Sequence, residues 1–330
     1  MANKGISVVI PNYNGRNLLE EILPSLIVAL KNASLPYEII ISDDFSTDES
    51  LSFLKAEYPG ITLISNEVNR GFSPTINEGI FAAQFDYVLL LNSDVKLSPD
   101  YFKPLFRYFD RKDTFGVMGR IVGWEDDIIQ DAAKFPSFHG AKIKTSGNYY
   151  LKNSDENDWL YSMYLSGANA FVSREKLLAL GGFDELFAPF YVEDFELSLR
   201  AWRLGWKCYY DHTAICRHRV SITIKSKNKK SYINTIYYRN KMFLHAMHLQ
   251  GLSKLLWYLQ LIPETVIRMV TARWYYLQAL KMFFLRQKEM KSSMSAFQLL
   301  AKTLGVEPAS VKKIVKEVLL SIEEKPCQKF

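Results

Sequence analysis

Residues 190–206, FYVEDFELSLRAWRLGW, place two adjacent carboxylates, Glu193 and Asp194, behind Phe190, Tyr191 and Val192. A carboxylate among apolar or anionic neighbours has a raised pKa and can take a proton from a hydroxyl. Acids at the start of a helix are also favoured by its dipole, so a capping reading stands beside the catalytic one. At 89–100, LLLNSDVKLSPD, an apolar run ends in Asn92, Ser93 and Asp94. Oxygen-bearing residues at i and i+2 of a strand end share one side of the pleat and can hold a hard divalent cation against diphosphate oxygens. An Asx turn uses the same residues. At 42–50, SDDFSTDES, Asp43 and Asp44 precede a capping Ser-Thr-Asp and could accept hydrogen bonds from a base or ribose. Asn69, Arg70 and Gly71 form either an ordinary loop or a tight turn into a helix whose N-terminus faces an anion. His218 lies among basic residues that suit a phosphate, although a lone histidine is commonly structural.

These residues need elements to position them. Short, apolar, β-branched runs at 6–11, 37–42, 61–65 and 86–92 predict four strands. Leu18, Leu19, Ile22, Leu23, Leu26 and Ile27 recur at helical spacing; Ser46 or Thr47 can cap a helix to about Tyr58, and a further helix is expected over 73–84. Apolar strands separated by helices are buried on both faces, which predicts an α/β fold with a largely parallel sheet. Ligands of such sheets bind beyond the carboxyl ends of the strands, and that rule puts Asn12, Asp43, Asn66 and Asp94 on one rim. Runs at 117–122 and 165–172 flank a polar stretch to 158 that reads as looser chain. A short helix over 174–181 ends at Gly181 and Gly182, a helix over 194–204 stops at Gly205, and 206–211 reads as a strand with His218 beyond it. After 228 the chain is helical to about 290, and Gly305 and Pro308 punctuate two last short helices.

The bulk numbers bound the possibilities. The 330 residues, 48% hydrophobic and 23% charged, suffice for a large α/β domain with an appendage and exclude a disordered chain. Cys208, Cys216 and Cys327 form no C-x-x-C pair and read as reduced thiols of a cytosolic protein. The N-terminus has no signal-peptide pattern, and no uncharged apolar run reaches the length of a membrane span. The net charge of +6 is uneven: residues 1–211 are acidic on balance, 212–291 are strongly basic, and no acid occurs from His212 to Pro263. Such a segment suits phosphates, of a lipid surface or of a nucleotide. Leu252, Leu255, Leu256, Leu259, Ile262 and Val266 recur at helical spacing with Lys254 and Arg268 between them, as in an interfacial helix on an anionic membrane; packing on protein is the alternative. No nucleic-acid-reading motif is present.

The order of the motifs resembles the inverting nucleotide-sugar glycosyltransferases of family 2, which have the GT-A fold, and among them the bacterial rhamnosyltransferase-like and O-antigen type. The matching pieces are Val9-Ile-Pro-Asn-Tyr-Asn14, Ser42-Asp-Asp-Phe-Ser-Thr-Asp48, Asn69-Arg-Gly-Phe72, Leu91-Asn-Ser-Asp94, Leu180-Gly-Gly-Phe-Asp-Glu185 and Glu193-Asp-Phe-Glu-Leu-Ser-Leu-Arg200. The resemblance implies a catalytic domain over 1–228, with a nucleotide-sugar half to about 114 and an acceptor half from about 115, and a basic, aromatic helical extension over 229–330. It implies donor contacts at Pro11, Tyr13, Asp43, Asp44, Asn69, Arg70, Gly71, Asn92 and Ser93. It implies a divalent metal, Mn²⁺ or Mg²⁺, on Asp94 and His218, with Asn92 standing where the family has a first acid. It implies Asp194 as the base, Glu193 beside it, and an acceptor side at Gly167, Ala168, Asp184 and Trp202. The expected partners are a UDP-, dTDP- or GDP-linked sugar, a glycan or lipid-linked glycan acceptor and an anionic membrane surface, with no nucleic acid. The expected place is the cytoplasm, peripherally on the membrane face. A polyprenyl-phosphate sugar transferase and a non-catalytic nucleotide-binding scaffold are the alternatives.

Overall fold

The computed structural model describes residues 3–152, 158–219, 229–323 and 325–330. In chain order the elements begin with β1 (Ile6–Asn12), α1 (Arg16–Asn32), β2 (Tyr37–Asp43), α2 (Ser50–Glu57), β3 (Thr62–Ser65), α3 (Phe72–Ala82), β4 (Tyr87–Leu91) and β5 (Val95–Leu97). Then come β6 (Thr114–Gly123), β7 (Ile129–Asp131), β8 (Ala133–His139), β9 (Lys142–Leu151), β10 (Leu160–Tyr161), β11 (Asn169–Ser173), α4 (Arg174–Ala179), α5 (Glu193–Arg203) and β12 (Lys207–His218). The chain closes with α6 (Lys230–His248), α7 (Gly251–Val270), α8 (Trp274–Leu285), α9 (Gln287–Thr303), α10 (Val311–Leu320) and β13 (Cys327–Lys329).

The expected α/β fold is present. Among the described residues the main sheet follows the path β10-β12-β6-β11-β4-β1-β2-β3, with β5 beside β12 and β7 beside β6. β1 to β4 run parallel, as do β6 and β12, while β11 runs antiparallel between β4 and β6. The period of two sorts the strand residues between two cores. Ile6, Val8 and Ile10 pack with Leu19, Ile22 and Leu26 of α1 on one face, while Val9 and Ile40 pack with Ile76 and Ile80 of α3 on the other.

Two expectations are corrected. The polar stretch before 158 is largely strand: β8 and β9 form an antiparallel hairpin, and the C-terminal β13 joins its edge to make a second sheet. The strand expected at 206–211 continues through an irregularity to His218, because β6 and β5 supply partners along its whole length. His218 is therefore the last residue of a strand and shares the rim with Asp94.

The helices after 228 share a core with α5. Phe243, Trp257, Tyr276, Phe283, Phe297 and Val315 bury in the same cluster as Leu197 and Trp202. Under that cluster lies a buried ionic network. Glu196 takes the Arg200 Nε at 2.9 Å and His248 Nε2 at 3.2 Å, and Arg200 donates to the carbonyls of Leu180 at 2.6 Å and Gly182 at 2.9 Å. Burial alone would raise the Glu196 pKa, but Arg200 and His248 outweigh it and hold the carboxyl below its ordinary range. Among the described residues no helix is long and apolar enough to cross a membrane.

Because Glu196 is wholly buried, removing its main partner leaves an uncompensated charge. Arg200→Ala is expected to lower stability by about 3–5 kcal/mol, read as a shift in the denaturant midpoint. A loss under about 1 kcal/mol would mean that the network carries little.

Candidate active site

The carboxyl ends of β1, β2 and β4 build the rim, as the sheet rule requires. Asp43 is buried and takes hydrogen bonds from Asn12 Nδ2 at 2.7 Å, Ser46 Oγ at 2.6 Å and Ser46 N–H at 2.8 Å. Asp44, also buried, takes the N–H groups of Arg70 at 2.7 Å and Gly71 at 2.9 Å and the Asn66 amide at 3.0 Å. Asp44 thus fixes the Asn69–Arg70–Gly71 turn against β2, a use that local spacing does not reveal. Tyr13 and Arg70 reach solvent; Arg70 meets Glu78 at 3.0 Å and Glu185 at 3.4 Å. Pro11, one residue before the end of β1, pairs in register with Ser42.

The turn after β4 carries the candidate cation ligands. The Val95 N–H bonds the Asn92 carbonyl at 3.2 Å, so the turn geometry and the ligand geometry coexist. Ser93 lies in this turn, half-buried, and a Cβ on Gly15 would come within 3.6 Å of its Oγ. Asp94 Oδ2 stands 3.6 Å from His218 Nε2, while Asp94 Oδ1 is buried with no hydrogen-bond partner. His218 Nδ1 meets Gln130 Oε1 at 3.1 Å, which orients the ring. Among the described residues no three His, Cys, Asp or Glu side chains gather as a metal cluster. The donor set fits a hard divalent cation that takes few protein ligands and completes its shell with phosphate oxygens and water.

The Asn92 N–H bonds the Ala168 carbonyl at 3.2 Å, and Gly167 lies next along the chain. A Cβ on Gly167 would lie 3.8 Å from the Asp194 Cβ, and the Gly167 N–H bonds the Asp194 carboxylate. Gly167 and Ala168 therefore join the cation turn to the acids of α5. Burial raises the pKa of Asp194, and hydrogen bonds from the Phe195 and Gly167 N–H groups and the nearby Lys134 ammonium only partly offset it. Burial, then repulsion from Asp194, raises Glu193 as well, and its Oε2 is buried without a partner. The pair titrates jointly, above the ordinary carboxylate range.

Two expected acceptor-side residues lie elsewhere. Trp202 is fully buried; its indole N–H donates to the Ser162 carbonyl at 3.2 Å, and the ring packs edge-on to Tyr161. It belongs to the core because its turn of α5 faces the sheet. Asp184 caps the 3₁₀ turn Glu185–Phe187, accepting from the Leu186 N–H at 2.9 Å, and also bonds Ser293 of α9.

The segment before α5 is strained. Tyr191 has φ 73° and Val192 φ 76°, and a β-branched residue rarely adopts that conformation. Asn240 of α6 secures it, its amide donating to the carbonyls of Phe187 at 2.6 Å, Phe190 at 3.1 Å and Tyr191 at 2.8 Å. Arg239 donates to the Ala188 carbonyl at 2.5 Å, and the Phe72 N–H to the Pro189 carbonyl at 2.8 Å. Sequence reasoning missed Asn240 and Lys134. A polar residue among Tyr237, Tyr238 and Phe243 is the one signal for Asn240, and none marks Lys134.

The chain matches the family model described as glycosyl transferase family 2 over residues 7–180. It is 24% identical over 268 residues to the N-acetylglucosaminyl-diphospho-decaprenol L-rhamnosyltransferase of Mycobacterium tuberculosis, covering 74% of this chain and 85% of that protein. Its fold is similar to that of GalNAc-T7 solved with UDP, GalNAc and Mn²⁺, at a TM-score of 0.64 and 16% identity, covering 98% of this chain and 58% of that one. It is also similar to a mannosyltransferase of Pyrobaculum calidifontis solved with GDP-Man and Mn²⁺, at a TM-score of 0.52 and 15% identity, covering 96% of this chain and 83% of that one.

Asn240→Ala should lower kcat by about 10–100-fold through misplacement of the α5 acids. Donor KM should stay nearly unchanged, and the acid limb of the pH–rate profile should move to lower pH as the carboxylates gain water. A variant with lowered stability and an unmoved pH profile would reduce Asn240 to scaffolding. A carboxyl with a raised folded-state pKa binds its proton more tightly folded than unfolded. Its contribution to stability is present below the unfolded pKa and is lost as pH rises through the folded one. Glu193→Gln should therefore melt a few degrees above the wild type at pH 8, the gap narrowing toward the ordinary glutamate range. A gap that does not change with pH would exclude the raised pKa.

Proposed function

The chain belongs to glycosyl transferase family 2 and has the GT-A fold, and from that premise we propose that it moves a sugar from a nucleotide-sugar donor to a hydroxyl of a lipid-linked glycan, with inversion. The observation that carries this reading is the Gly167–Ala168 bridge, which holds a candidate base on one side and the Asp94–His218 pair on the other. The lipid-linked acceptor is supported by the name of the M. tuberculosis relative and by the basic, acid-free chain from His212 to Pro263.

In this reading Pro11, Tyr13 and Asp43 lie on the nucleotide side, and Asp44 holds the Asn69–Gly71 turn against it. Asn92 and Ser93 border the diphosphate. Asp194 takes the proton of the acceptor hydroxyl as that oxygen attacks the anomeric carbon. The bond from that carbon to the diphosphate oxygen breaks with its electron pair, so the nucleoside diphosphate departs from the opposite face. The raised pKa of the acid pair keeps the base near the working pH, where general-base catalysis is most effective. A divalent cation, held by Asp94 and His218 when bound, would supply positive charge to the departing diphosphate. Arg70 lies on this rim and could add to it once released from Glu78 and Glu185. A single base with no covalent intermediate gives inversion.

Asp194→Asn should reduce transfer by about 10²–10⁴-fold while nucleotide-dependent thermal stabilisation persists. Asp94→Ala should abolish the part of that stabilisation that depends on Mn²⁺, in a screen of UDP-, dTDP- and GDP-sugars. Normal turnover by Asp194→Asn would sink the base assignment, and an unchanged Mn²⁺ response in Asp94→Ala would sink the ligand assignment.

A further inference from the structure

Between the β8–β9 hairpin and helices α6 and α7 lies a cavity of about 320 Å³, lined by Lys142, Lys144, Lys241, Tyr237, Trp257 and Tyr276 among others. Its charge is lopsided. Glu264 pairs with Lys142, whereas Lys144, Lys241 and the neighbouring Arg268 make no salt bridge among the described residues. His245, also in the wall, adds no charge near neutral pH, since burial pushes its imidazolium down to about 4.

One buried donor of the wall and one beside it lack protein acceptors. The Trp257 Nε1 and the Arg268 Nη1 have no hydrogen-bond partner, and Trp257 is fully buried. A buried donor left unpaired is costly, so such a pair is evidence for an acceptor-rich guest. Arg268 also lies over the rings of Tyr238 and Tyr276, at 5.3 and 5.7 Å, which holds the guanidinium beside the cavity.

The cavity has two relevant neighbours. Tyr164 stacks on Phe195 beside Asp194, and its hydroxyl bonds Thr145, next in sequence to Lys144. On the other side, α7 presents Leu252, Leu255, Leu256, Leu259, Ile262 and Val266, each 46–67% exposed, along one face. α7 thus turns Trp257 and Leu261 to the cavity and an apolar face outward on its opposite side.

We infer that this cavity binds the phosphate groups of a prenyl-diphosphate carrier, with the prenyl chain leaving along the apolar face of α7. On the glycosyl-transfer reading above, on which this part rests, the carrier bears the acceptor sugar; the phosphate site itself does not depend on it. The unpaired lysines and donors recognise the phosphate oxygens, and the apolar face distinguishes a lipid from free phosphate.

The test is calorimetric titration of the full chain with farnesyl diphosphate, inorganic pyrophosphate and farnesol, on the wild type, Lys144→Glu and Lys241→Glu. Farnesyl diphosphate should bind the wild type at least about tenfold more tightly than either of the other probes. Each substitution should weaken it about tenfold or more, the scale of one charge-assisted hydrogen bond. Equal binding by wild type and variants overturns the site. Pyrophosphate binding as tightly as farnesyl diphosphate overturns the lipid, and farnesol doing so overturns the anion. If Lys241→Glu does not fold, Lys144→Glu on the hairpin decides alone. Nucleotide-sugar thermal shifts on the same proteins separate the two readings: a wild type that ignores every nucleotide sugar fails the glycosyl-transfer reading and leaves the farnesyl diphosphate result standing.

Discussion

The site depends on the grip of α6 on the segment before α5. Tyr191 and Val192 both sit in the left-handed region, a strain of about 1–3 kcal/mol each. Such a turn persists only when its surroundings over-determine it. Here one amide, Asn240, donates to three carbonyls of the segment, while Arg239, Arg286 and the Phe72 N–H take three more. With the carbonyls pinned to these donors, Glu193 and Asp194 open α5 where it meets Gly167. The helices after residue 228 thus hold these two acids in place.

The same segment ties the two halves of the rim together. Gly71 has φ 88°, and a Cβ there would come within 2.6 Å of the Pro189 Cα, so a side chain would push the Asn69–Gly71 turn off the segment before α5. Asp44 holds Gly71 from the other side through its N–H. That turn is therefore caught between the buried carboxylate of Asp44, just after β2, and the segment that precedes the acids. A displacement of either is felt by both, and this couples the Asn69–Gly71 turn to the position of Glu193 and Asp194.

What was legible in the sequence follows from how local each signal is. β1, β2 and β4 announce themselves through apolar runs, because both of their faces are buried, and α1 and α3 through helical spacing. Asp43 and Asp94 stand at or just after strand ends, where the rim rule places them, and Glu193 and Asp194 stand out as adjacent acids at the start of a helix. The β8–β9 hairpin was hidden because its burial alternates irregularly and half of it faces solvent, so its composition imitates a loop. The family resemblance puts Trp202 on the acceptor side, yet α5 is buried on nearly all sides after its first turn. Asn240 and Lys134 act through partners about 50 or more residues away, and no local pattern carries that information.

Rotation of α7 in place cannot hide its apolar face. Rotating the helix to bury Leu255, Leu259 and Ile262 would expose Trp257 and Leu261, which pack in the core. It would also break the bonds from Gln260 to the Ala141 N–H and the His139 carbonyl, and the Lys142–Glu264 pair, that fasten the hairpin to α7. The inner face is fixed by the hairpin and α6, so the outer face is left to whatever lies outside the molecule. Large contiguous apolar surface is uncommon on proteins that meet only water. Basic residues beside an outward apolar face favour an anionic interface over a second apolar protein surface, because lysine and arginine stems can lie along acyl chains while their heads reach phosphates.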